Sequence, residues 1–266
     1  MKFIDLFCGI GSFHQALLEH ECVMACDIDP MCRETYKVNY NMNDNNVLGD
    51  ITKIKTFPKA DIVCAGFPCE NFSIIGKKEG LSVKKGQLVN DVFRAIRQSE
   101  PEYVFMENVR NILKHQNIID LIQQEMTNMG YSVKVHLLNC KNYGIPQNRQ
   151  RVFFICCKEK PFLGNIPECI TPTLSHFLNQ DLIRDFSYTI RAKGGRYDKI
   201  ESRHNWTYYR RKDNTIYQLT FDDVVKLQGF PSNFFFCGSK TNKYQMLGNS
   251  IPTNLTKAVI SATLEN

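Results

Sequence analysis

The chain has 266 residues, 43% hydrophobic and 23% charged, enough to bury a full core as one large domain or as a large domain with a smaller lobe. Asp5 interrupts the apolar N-terminus and no run of about 18 apolar residues occurs, so neither an export signal nor a membrane span is expected. Eleven cysteines, scattered from Cys8 to Cys237 without a CxxC pair, point to free thiols in a reducing compartment and away from structural zinc. Within 191–212, eight Lys or Arg face two acids, a surplus that matches the whole net charge of +6.

From the N-terminus, "KFIDLF" predicts a short apolar strand running into the turn "CGIGS", and "FHQALLEH" after it has helical spacing. "CVMACDID" predicts a second buried strand. "PMCRETYKVNY" predicts a helix with Pro30 at its first position. "ADIVCAGFP", "EYVFMENV" and "YSVKVHLLN" predict further strands. The helical stretches "QLVNDVFRAIRQSEP" and "NIIDLIQQEMTNMG" separate them, the latter closed by Gly130, and "RVFFICC" is a last apolar run. Such alternation predicts an α/β fold, a mostly parallel sheet with helices on both faces. Beyond residue 158 the periodicity breaks and prolines accumulate. Regular signals return at "LTFDDVVKLQGFP", where Thr220 caps a short helix ended by Gly229 and Pro231.

Several stretches carry chemistry. Gly9 and Gly11 stand between a strand and a helical stretch, where missing Cβ atoms admit either a ligand or close packing. Asp27 and Asp50 stand at the ends of the next strands, suited to ribose hydroxyls and an adenine amino group, or equally to surface caps. No GxxxxGK[ST] is present, which disfavours a P-loop. Cys69 in "AGFPCENFS" follows Pro68 at a strand edge and either packs, binds metal or attacks. Glu107 ends another strand. Gln147, Arg149 and Arg151 alternate in "QNRQR" and share one side if the segment is extended, and Asn249 with Ser250 forms a turn in "MLGNSIP".

Taken in order, "DLFCGIGSF", "CDID", "GDIT", "GFPCENFS", "ENV", "QNRQR", "LTFDDVVKLQGFP" and "GNSIP" resemble the motifs of the DNA cytosine-5 methyltransferases of bacterial and viral type. The resemblance implies a Rossmann-like S-adenosylmethionine-dependent methyltransferase domain over 1–157, completed by 239–266, and a smaller irregular target-recognition domain over 158–238. It implies that Cys69 adds to carbon 6 of a flipped-out cytosine. Glu107 then serves N3, Arg151 with Arg149 handles ring charge, and S-adenosylmethionine gives its methyl group to carbon 5, leaving S-adenosylhomocysteine. Phe7, Gly9, Gly11, Asp27, Ile28, Asp50, Ile51, Pro68, Leu88, Asn249 and Ser250 are the implied cofactor residues, with no metal. Phe67, Ser73, Gln147, Thr189, Arg191, Lys193, Arg196 and Arg203 are the implied contacts to base and DNA. The implied partner is double-stranded DNA. The expected setting is a monomer in bacterial, phage or viral cytoplasm, associated with the nucleoid, and a companion restriction endonuclease is left open. A tRNA methyltransferase on the same scaffold usually has Pro-Pro-Cys where this chain has Phe67-Pro68-Cys69. An inactive DNA-binding homologue is expected to have lost Cys69, Glu107 or Arg151, and all three are present. Two departures stand out: Asp27 and Glu70 replace the family's usual Glu and Gln.

Overall fold

The computed structural model describes residues 1–68, 88–192 and 205–265. The apolar runs become β1 (Lys2–Leu6), β2 (Glu21–Cys26), β3 (Val47–Leu48), β4 (Ile62–Ala65), β5 (Tyr103–Val109), β6 (Ser132–Asn139) and β7 (Gln150–Cys157). They form one seven-stranded sheet in the order β3-β2-β1-β4-β5-β7-β6. Every neighbouring pair is parallel except the two that β7 makes with β5 and β6. Successive side chains of a strand point to opposite faces. Phe3, Ile62, Phe105, Phe153 and Ile155 therefore share one core, and Ile4, Val63, Val104, Met106 and Phe154 share another.

The helices follow local rules. In α1 (Pro30–Tyr40), Asp29 caps the start by accepting from the Met31 N–H, Pro30 presets the first turn, and Asn41 ends it in the left-handed region. α2 (Leu88–Ser99) buries Val89, Val92, Phe93 and Ile96, and α3 (Gln116–Asn128) buries Ile118, Ile122 and Met126; both stripes join the second core. α4 (Leu174–Leu178) is one short turn, followed by the hairpin β8 (Tyr208–Arg210) and β9 (Ile216–Gln218). α5 (Phe221–Leu227) starts with a capping box between Thr220 and Asp223. α6 (Lys240–Asn249) carries Asn249 as its last residue, and α7 (Thr253–Leu264) places Leu255, Val259 and Ile260 in the first core.

Two features differ from the sequence reading. "FHQALLEH" forms only a 3₁₀ turn at His14–Ala16, because the chain must fall back along β1 and start β2 at Glu21 beside Lys2. The smaller lobe is not cored separately: Leu174, Trp206, Tyr209, Leu219, Val224 and Leu227 belong to the same core as Phe3 and Phe105. No helix among the described residues is long and apolar enough to cross a membrane.

Candidate active site

Parallel strands put their C-terminal ends on one edge, and the strand order reverses direction at β1 and β4, which opens a crevice there. The chain leaves β1 through Phe7 at φ +54° and Gly9 at φ +52°, both left-handed. Asp27, just beyond β2, holds this turn: its Oδ2 accepts from the Gly9 N–H at 2.8 Å and its Oδ1 from the Asp29 N–H at 2.9 Å. Burial pushes the Asp27 carboxyl up, and these two N–H groups pull it part of the way back.

The two glycines have different reasons. A Cβ on Gly9 meets nothing within 4 Å, so that backbone faces open space. A Cβ on Gly11 would lie 2.3 Å from the Tyr40 ring. Gly11 was expected at the cofactor; its missing Cβ makes room for Tyr40, whose hydroxyl donates to the Gly11 carbonyl at 2.9 Å.

The crevice suits an adenosine-bearing cofactor. Its Gly9 wall is open, and Asp27 has lone pairs left after accepting one N–H on each oxygen. Ile28 is 75% exposed beside it, an apolar surface for a flat base. Asp50 sits two residues past β3, with Oδ1 committed to the N–H and hydroxyl of Thr52, and Ile51 is buried behind it. Phe7 and Leu88 are half-buried and Asn249 is exposed. Ser250 departs from expectation, because its hydroxyl donates to the Leu247 carbonyl at 2.8 Å and accepts from Gln228 Nε2 at 3.0 Å.

At the neighbouring strand ends, β4 leads through Gly66 and buried Phe67 to exposed Pro68. Glu107 near the end of β5 is 6% exposed, with Oε1 at 2.9 Å from Arg151 Nε and Oε2 turned towards Gly66, 3.7 Å from where its Cβ would stand. The ion pair is a charge contact without an aligned N–H, since Glu107 Oε1 has no hydrogen bond among the described residues. Burial pushes the Glu107 carboxyl up, and the guanidinium groups of Arg151 and Arg149 oppose this. Asn108, which sequence reasoning missed although it stands inside "ENV", donates from Nδ2 to the Phe67 carbonyl at 2.9 Å and so ties β5 to the turn after β4.

"QNRQR" does not present its three long side chains together. Arg151 reaches Glu107, but Arg149 is 1% exposed and donates to the carbonyls of Ile190, Gly248 and Ser250, away from any substrate face. Gln147 is buried too and donates to the Leu227 carbonyl, so neither it nor Arg149 has the expected contact role. The cause is local: the Gln147 N–H bonds the Ile145 carbonyl and the Arg149 N–H bonds the Gln147 carbonyl, so the backbone turns before β7 begins. Thr189 spends its hydroxyl on the Asn148 carbonyl at 2.6 Å, while Arg191 is exposed. Cys69, Glu70, Ser73, Lys193, Arg196 and Arg203 lie outside the described residues.

A crevice at the reversal of a mostly parallel sheet, with an open glycine turn and an acid on one side and a buried carboxyl paired with an arginine on the other, is the layout of a Rossmann-like methyltransferase. The sequence profile for "C-5 cytosine-specific DNA methylase" matches residues 1–188 and 180–265, and the chain belongs to that family. Its reaction is transfer of a methyl group from S-adenosylmethionine to carbon 5 of cytosine in DNA. The Type II methyltransferase M.HhaI of Haemophilus parahaemolyticus is 30% identical, over 97% of this chain and 93% of its own length. M.MspI of Moraxella sp is 30% identical over 94% of this chain and 67% of its own length. Among solved structures, the Spodoptera frugiperda DNMT2 mutant superposes with a TM-score of 0.78 at 17% identity, covering 99% of both chains. S. pombe Dnmt2 gives 0.75 at 16% identity, covering 100% of this chain and 98% of its own; these two likenesses are of fold.

Proposed function

We propose that Cys69 is the nucleophile that adds to carbon 6 of a cytosine turned out of duplex DNA, with Glu107 as the acid at N3 and Arg151 as the cation near O2. Turning the base out costs on the order of a few kcal/mol. The observation that carries this reading is the Glu107–Arg151 pair. Burial raises the affinity of the Glu107 carboxyl for a proton, so that it can share one with N3 as the thiolate adds, and a guanidinium 2.9 Å away stabilises charge pushed into the ring. Its place next to the strand end that leads to Pro68-Cys69 supports the assignment of the thiol.

S-adenosylmethionine supplies an activated methyl group. Phe7, Gly9, Asp27, Ile28, Asp50, Ile51, Pro68, Leu88 and Asn249 are the residues proposed to hold it, Asp27 through the ribose hydroxyls and Ile28 against the base. The catalytic part is 1–157 with 239–266. The 158–238 lobe reads duplex DNA, with Arg191 and, outside the described residues, Ser73, Lys193, Arg196 and Arg203 as contacts. We place the protein in the cytoplasm as a monomer, and the Type II designation of its relatives suggests a cognate endonuclease.

Duplex DNA containing 5-fluorocytosine tests the assignment, because the blocked C5 position traps the adduct. With S-adenosylmethionine present, the intact protein should become covalently attached to DNA carrying its target, and Cys69→Ser should abolish attachment. Absence of adduct across a set of duplexes covering all short sequence contexts would sink the proposal.

A further inference from the structure

The polar side chains of "QNRQR" that stand away from the reaction form a buried hub between two segments with different ligands. The guanidinium of Arg149 donates from one terminal nitrogen to the Ile190 carbonyl at 2.6 Å, and from the other to the carbonyls of Gly248 at 2.9 Å and Ser250 at 2.7 Å. The latter two flank Asn249, proposed for the cofactor, and Ile190 precedes Arg191, proposed for DNA. The two backbones also touch directly: a Cβ on Gly248 would lie 2.1 Å from the Ala192 nitrogen. Gln147 adds a second tie, accepting from the Ile190 N–H at 3.1 Å and donating to Gln228 Oε1 at 3.0 Å; Gln228 in turn donates to the Ser250 hydroxyl at 3.0 Å.

We infer that Arg149 is a positioning residue that locks the Asn249 turn and the Arg191 segment into one arrangement, so that cofactor and duplex DNA tighten each other's binding through it. The inference rests on the proposed assignment of those two segments. The physical basis is the planar fork of the guanidinium, whose donors have fixed relative directions. Anything that fixes the Gly248 and Ser250 carbonyls orients the fork, and the fork then fixes the Ile190 carbonyl. Displacing either segment alone strands a buried carbonyl or a buried cation, so the two segments shift together or not at all. Linkage makes the effect reciprocal, with the same factor in both directions.

The experiment is calorimetric titration of the full chain with S-adenosylhomocysteine, without and with saturating duplex bearing the target found by bisulfite sequencing, and the converse titration. In the wild type each ligand should tighten the other by about 5-fold or more. Arg149→Lys keeps the charge and loses the fork, and its coupling factor should fall close to one. Gln147→Met, of similar volume, should lower the factor in the same direction and decides the matter if Arg149→Lys does not fold. A merely structural Arg149 would weaken both affinities in Arg149→Lys and leave their coupling as in the wild type. That result, or a coupling factor near one in the wild type, overturns the inference. A wild type that binds neither ligand and forms no 5-fluorocytosine adduct takes the functional assignment down as well, which separates that failure from failure of the coupling alone.

Discussion

Two buried carboxyls on one sheet have different uses. Asp5 in β1 is 1% exposed, accepts from the Tyr36 hydroxyl through Oδ2 at 3.3 Å, and has an Oδ1 without a hydrogen bond among the described residues. Burial raises its carboxyl well above the ordinary value; the Tyr36 bond opposes this and Asp27 adds to it. The folded state therefore holds a proton that the unfolded chain releases above about pH 3.9. Its contribution to stability is fully present below that pH and is lost as pH rises towards the folded value. Asp5→Asn removes this titration, so its melting temperature relative to wild type should rise between pH 5 and pH 8; parallel curves for the two proteins would contradict the assignment. Glu107 shares the burial, but its neighbours are the two arginines and its open side faces Gly66. Glu107→Gln can still donate a hydrogen bond but cannot give up a proton. Single-turnover methylation should slow by about 10²–10⁴-fold, with S-adenosylhomocysteine affinity held within a factor of two or so, roughly the cost of a weak hydrogen bond.

The turn between β1 and β2 is where sequence and structure diverge most usefully. Gly9 and Gly11 are indistinguishable in "CGIGS", yet one faces open space and the other faces an aromatic ring from the far end of α1. Gly11→Ala should melt markedly lower, because φ is +88° and the added carbon meets a ring held by bonds to two carbonyls and packed at 3.8 Å on His14. Gly9→Ala should fold with a loss of only about 1–2 kcal/mol from its left-handed backbone and weaken cofactor binding instead. Thermal melts and ligand titration of the two variants separate these outcomes, and equal loss of cofactor affinity in both would refute the division. Strands and long helices were legible because their signal is a period of apolar residues, as in Val89, Val92, Phe93 and Ile96. Glu107 and Arg151 were legible because strand ends bring them to one edge. The partners of the Gln147 and Arg149 side chains were not, because their bonds span from 41 to 101 residues of sequence and most end on backbone carbonyls, which every residue has. The β8–β9 hairpin escaped notice although Asp213-Asn214 supplies its turn, with Asn214 at φ +66°.

At the scale of the molecule, charge is unevenly shared: the strand ends carry the residues proposed for the chemistry, and the basic surplus sits in 191–212. A duplex bound there releases counterions, so the logarithm of its affinity should fall linearly with the logarithm of salt concentration, by about 0.9 for each phosphate neutralised. Not every cation in the segment is available for that. Lys212 is paired with Asp181 at 2.9 Å, and Arg211 donates to Gln180 and lies over the Tyr217 ring at 4.9 Å. Arg191 is exposed and follows directly on the Ile190 carbonyl that Arg149 holds, so its charge is presented from a fixed backbone. Arg191→Gln should therefore reduce the salt slope of duplex binding by roughly 0.9. Lys212→Gln should leave the slope nearly unchanged, because losing the lysine also frees the Asp181 carboxylate to repel the duplex, which weakens affinity without removing a phosphate contact. Fluorescence anisotropy over a salt series reads both, and an equal drop in slope for the two variants would mean that the Lys212–Asp181 pair opens on the DNA and that the whole segment rearranges when it binds.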